Sequence, residues 1–232
     1  MNIVDLKRFN LNVIGQKSFL LGSFFIASAI PISGIFFLLA ITISFINNRI
    51  NPFKDKWNYP LFLAIGLLIF STLNNSIYNP PDETSQLEIF SVVLGLINWI
   101  PLFFSFWAFQ AYLKSKSQRE LFAKYLISGS VPVLISCILQ YWFNIYGPFE
   151  TFNGLIIWFQ KPLSGNSGVS GLFSNQNYAG LWLSAIWPFS IFVFRDIQKR
   201  KSLKIIFFIF SCIIFYLAIL TNSRNSLVGI LI

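Results

Sequence analysis

The stretch FLLGSFFIASAIPISGIFFLLAITISFI (residues 19–46) decides how this chain folds. It is apolar throughout and carries no charge. As one helix rising 1.5 Å per residue it would reach about 42 Å, long for a hydrocarbon core of roughly 30 Å. Pro31 and Gly34 stand near its middle, where a helix breaks or turns. Its flanks sharpen the reading. Lys7, Arg8 and Lys17 precede it, and Arg49, Lys54 and Lys56 follow it. The positive-inside rule puts both flanks on the cytoplasmic side, so the stretch is expected to cross twice or to dip in and return.

The rest of the chain repeats the pattern. Of its 232 residues 55% are hydrophobic and 11% charged, against about a quarter charged in soluble domains. Further apolar regions cover 59–76, 89–110, 125–142, 178–194 and 205–220, with a short piece at 227–232. Besides the two flanks, the breaks at 111–124 and 195–204 are basic, and all Lys and Arg except Lys161 and Arg224 lie in these four segments. The intervening breaks are acidic or neutral: 77–88 holds Asp82, Glu83 and Glu88, and 143–177 holds only Glu150 and Lys161. The expected fold is an all-α, polytopic integral membrane helical bundle of about seven spans plus a truncated last one, with a cytoplasmic N-terminus.

The basic start resembles that of a signal peptide but leads to no small-residue cleavage site, so it reads as a retained tail. The net charge of +9 sits in short breaks between spans, where it sets orientation and does not point to nucleic acid. Cys137 and Cys212 lie in apolar stretches and read as free thiols. The chain has no histidine, which removes a His-based metal site or a His general base from it. In the outer break, 152–159 is apolar but too short to span, and an interfacial helix is expected there. The Ser/Gly-rich piece 164–171 reads as a loop returning to the membrane.

Two polar clusters fall on the same, outer side. GLFSNQN (171–177) precedes the region 178–194, and TNSRNS (221–226) follows 205–220. Asn175 and Asn177 suit the cap of a helix starting near Tyr178. They equally suit sugar hydroxyls or a neighbouring helix, because amides both donate and accept. Arg224 stands against the positive-inside bias. It reads either as a snorkelling side chain or as an anion clamp, since guanidinium matches phosphate oxygens with two parallel bonds. Thr221, Ser223 and Ser226 would add hydroxyl donors.

The order Gly171-x-Phe173-x-Asn175-x-Asn177, apolar span, basic break, second span and Thr221-x-Ser223-Arg224 resembles the O-antigen ligase and polymerase superfamily. The resemblance is strongest over 165–232, which it implies is the start of a ligase-like core, with 1–164 as N-terminal spans and an outer loop. It implies a bacterial cytoplasmic (inner) membrane protein. Its activity would be transfer of glycan from a polyprenyl-diphosphate carrier to a lipid or glycan acceptor on the outer face, without metal or cofactor. By that resemblance Arg224, Asn175, Asn177 and Ser223 would bind substrate, Arg224 holding the diphosphate leaving group. Lys161 is a second candidate cation and Glu150 a candidate base. Gln176 stands where the family usually has proline. Family members continue through more helices and a large outer loop with further basic residues, so the chain is expected to be the front part of a longer protein, with the catalytic base beyond residue 232. Two other readings stay open: a transporter related to cyanobacterial inorganic-carbon uptake proteins, and an inactive truncated remnant.

Overall fold

A computed structural model describes residues 3–47, 53, 55–78, 86–165, 167–196 and 201–231. Arg49, Lys54, Asp82, Glu83, Lys199 and Arg200, which bear on orientation, lie outside the described residues. The protein is mostly helical and parts into two compact units. One joins Met1–Gln16 to Phe37–Lys114, the other Lys17–Phe36 to Ser115–Ile232. The boundary expected between 164 and 165 falls inside the second unit. Among the described residues, four stretches are long and apolar enough to cross a membrane: Ile30–Asn47, Lys56–Asn74, Leu94–Tyr112 and Lys116–Trp142. Lys204–Leu220 is a shorter apolar helix.

The opening apolar stretch lies in a helical hairpin, and its first arm reaches back through the segment expected to be a tail. Helix α1 (Ile3–Phe25) turns over residues 26–29 into α2 (Ile30–Asn47). Pro31 lies in the first turn of α2, where a missing N–H removes no helical bond. Ser33 Oγ donates to the Gly22 carbonyl at 2.7 Å, so the two arms are stitched just below the turn.

In the first unit, α3 (Tyr59–Tyr78) pairs with α4 (Gln86–Phe109). The later part of α2 is pinned by two bonds: Ser44 Oγ donates to the Ala108 carbonyl at 2.9 Å, and the Tyr112 hydroxyl to the Ala40 carbonyl at 2.8 Å. Gly15 of α1 makes room for that hydroxyl, which sits where a Cβ would be. Phe45 meets Trp107 edge to face at 4.8 Å. Leu63, Leu67 and Phe70 of α3 are exposed, as suits a helix surrounded by hydrocarbon.

The second unit is built on a long rod, α5 (Lys116–Gly129) followed by α6 (Val131–Trp142). Its start departs from expectation. The helix begins at Lys116 and not near residue 125, because Ser115 and Gln118 form a capping box. Gln118 N donates to Ser115 Oγ at 3.2 Å and Ser115 N to Gln118 Oε1 at 2.9 Å. Lys116, Arg119 and Lys124 therefore ride on the helix. Pro132, in the first turn of α6, accounts for the break at Ser130.

The expected interfacial helix over 152–159 is not there. Strands β1 (Phe149–Thr151) and β2 (Ile156–Trp158) form an antiparallel hairpin, with Phe149 opposite Trp158 and Thr151 opposite Ile156. Phe152, Asn153 and Gly154 have φ of 53°, 54° and 82°, a left-handed run that a right-handed helix excludes and a tight hairpin requires.

Helices α7 (Gln176–Asp196), α8 (Lys201–Leu220) and α9 (Arg224–Leu231) complete this unit. Leu183 and Ile186 of α7 are buried with Ile214 and Leu217 of α8. Ser211 Oγ donates to Ser190 Oγ at 2.8 Å, linking the two helices inside that core. Where the α5 rod meets α1, the Phe24 carbonyl occupies the place a Cβ on Gly129 would take. Gly129→Val is expected to force α1 off α5 and lower the unfolding temperature of the detergent-solubilised protein. Ala123→Gly, a cavity-type change at a buried site on the same helix, should cost only about 1 kcal/mol.

Candidate functional site

Between α6 and α7 the chain must turn through backbone that makes no helix, yet the returning loop is buried against α6. Its polar groups are satisfied by a few side chains. Gln140, fully buried, accepts from Ser170 N and Gly171 N, both at 2.9 Å, through Oε1. Its Nε2 donates to the Lys161 carbonyl at 2.6 Å and to Ser170 Oγ at 3.1 Å. One turn back, Ser136 donates to Gln160 Oε1, and Gln160 Nε2 donates to the Ile145 carbonyl at 2.7 Å. Residues 159–160 and 171–172 also bond backbone to backbone.

This loop sets the first polar cluster. Gly171 has φ of 54°, and a Cβ there would stand 2.7 Å from Cys137 Sγ, so both backbone shape and space call for glycine. Asn175 is the cap of α7: its Oδ1 accepts from Asn177 N at 2.8 Å, and its carbonyl accepts from Ala179 N at 3.3 Å. Asn177 is not a second cap. It lies in the first turn, exposed. Gln176 Oε1 accepts from Gly168 N, tying the loop to the start of α7.

The second cluster forms the corner between α8 and α9. Thr221 Oγ1 donates to the Ala218 carbonyl at 2.7 Å and accepts from Ser223 N at 3.3 Å. Ser223 caps α9, its Oγ accepting from Ser226 N at 3.4 Å and its carbonyl from Leu227 N at 3.2 Å. Thr221, Ser223 and Ser226 are buried, whereas Asn222, Arg224 and Asn225 are exposed.

The two clusters meet. Val169 N donates to the Leu220 carbonyl at 3.1 Å, and Gly168 lies so close to the Thr221 carbonyl that no Cβ would fit. A Cβ on Gly180, in the second turn of α7, would be 2.8 Å from the Cβ atoms of both Ser223 and Ser226. One turn on, Gly229 faces Ser184 in the same way. Helices α7 and α9 therefore run parallel, with their N-termini at one end. At that end Asn175, Asn177 and Arg224 are exposed, and Ser223 is held inside the α9 cap. Lys161 and Glu150 are both exposed, the first where the loop bonds Gln140, the second on β1.

Sequence reading missed Ser136, Gln140, Gly168 and Gly180. The signal for the first two was their spacing, since i and i+4 share one face of an otherwise apolar helix. Compared with protein-family models, curated proteins and solved structures, the chain has no match in any of the three.

Gln140→Leu should strand the Ser170 and Gly171 amides and cost about 2–3 kcal/mol. Thermal unfolding in detergent would show it. Gly180→Leu should separate α7 from α9, and a cysteine pair at Ser184 and Gly229 should then lose its disulfide cross-linking.

Proposed function

We propose that the protein acts in glycan transfer on the outer face of the bacterial cytoplasmic membrane, taking glycan from a polyprenyl-diphosphate carrier to a lipid or glycan acceptor. The observation that carries this reading is the junction at Gly180, which brings two motifs far apart in sequence to one end of two parallel helices. Parallel N-termini add their partial positive charges there, and Arg224 adds a full one. In a transfer reaction the carrier diphosphate leaves as an anion, and cations held in place stabilise it. Arg224 would grip the diphosphate, while Asn175 and Asn177 would present amides to glycan hydroxyls. Ser223 would serve by fixing Arg224 at the start of α9.

The same reading orients the chain. Helices α3, α4, the α5–α6 rod, α7 and α8 would cross with the basic breaks in the cytoplasm, and the α1–α2 hairpin would enter from that side, dip in and return. The β-hairpin and both polar clusters would then face out.

Arg224→Ala in the full-length protein should lower glycan transfer by roughly tenfold to a hundredfold, the loss of one or two charge-assisted bonds. Arg224→Lys should recover part of it. Unchanged transfer in Arg224→Ala would remove the clamp. Cysteines placed at Ser164 and Ser117 should react with an impermeant maleimide from opposite sides of the membrane.

A further inference from the structure

The second unit holds a cleft of about 400 Å³ that the glycan-transfer reading does not use. Three segments wall it: the α1–α2 turn, the β-hairpin, and the chain entering α7. Trp158 locks two of them together, its indole N–H donating to the Ser28 carbonyl at 2.7 Å. The lining is largely aliphatic and aromatic, with Ala27, Ile30, Pro31 and Leu155 among it, and Ser174 and Tyr178 beside the start of α7. Among the described residues that line it, none is charged.

Depth follows from contacts on the α5–α6 rod. The end of α1 lies against Gly129, and Trp182 Nε1 donates to Ser130 Oγ at 3.2 Å. The α1–α2 turn is thus level with Trp182, some six residues into α7, or about 9 Å below its N-terminus. With Lys116–Trp142 as a span, the hairpin of helices stops short inside the leaflet and leaves the cleft above it. Apolar space at that depth is reached by hydrocarbon and not by water. Even an apolar cavity of about 150 Å³ takes up a benzene-sized guest.

We propose that this cleft is a binding site for one hydrocarbon chain of a membrane lipid, its polar head kept at the rim beside Ser174 and Tyr178. The uncharged lining excludes an ionic group from the interior, and the depth selects a chain over a soluble ligand. The proposal is independent of glycan transfer.

The test is photo-crosslinking of the full chain in vesicles of phosphatidylglycerol and phosphatidylethanolamine doped with a chain-diazirine phosphatidylglycerol. Labelling of residues 26–31 and 154–159 should saturate as the probe fraction rises. Labelling at Ile205 and Ile206, exposed on α8, should grow in proportion. Ser174→Trp and Ala27→Leu, each filling the cleft, should abolish the saturable labelling and spare that on α8. Both variants are checked for unchanged unfolding temperature, and either one that folds suffices. Competition by unlabelled polyprenyl phosphate or by unlabelled phosphatidylglycerol would support the site and name its lipid. Proportional labelling in the cleft, or saturable labelling that survives filling, would overturn it.

Discussion

A buried amide with four partners holds the second unit in shape. Gln140 is fully buried in a largely apolar helix, and a polar group out of water is costly unless bonded. The loop after α6 has the complementary problem: backbone groups out of water without helix partners. Each solves the other. Two loop amides, a loop carbonyl and the Ser170 hydroxyl meet the two ends of one side chain. The loop is thereby fixed against α6, and with it the angle at which α7 begins.

Small residues turn that anchored loop into a junction. Gly171 lets the chain pass the Cys137 sulfur, Gly168 lets it lie on the Thr221 carbonyl, and Gly180 lets α9 approach α7. In lipid, close backbone approach replaces the hydrophobic drive that binds helices in water. The hydroxyls of Thr221, Ser223 and Ser226 spend their bonds on the corner itself, leaving Arg224 and the asparagines to face outward. The functional reading depends on this division between buried hydroxyls that shape and exposed groups that can bind.

The helical character and the opening hairpin were legible in the sequence, because apolar length and a central proline act locally. The cap at Asn175 was legible for the same reason. The β-hairpin was missed although Asn153-Gly154 is the strongest two-residue turn signal; the apolar run around it suggested a helix face. The start of α5 was missed because a charged segment reads as a break, and only the Ser115–Gln118 pair reveals a helix there. Meeting of the two polar clusters was foreseen only as a shared side. The contacts that join them run through glycines, whose role lies in absent atoms and leaves no pattern in the sequence.

Gln176 ties the start of α7 to the loop before it. It is the first residue of α7, a position that proline fills well, since its fixed φ suits the helix and its missing N–H is not needed. Proline there would rigidify the entry but offer no side-chain acceptor. Glutamine gives up that rigidity and instead takes the Gly168 amide, next to the contact with Thr221. The entry to α7 is then held from outside, by a loop that also holds the α8–α9 corner. Glutamine at this position thus places the constraint at the joint between two clusters and not in the backbone of one helix. On that joint rests the common placement of Asn175, Asn177 and Arg224.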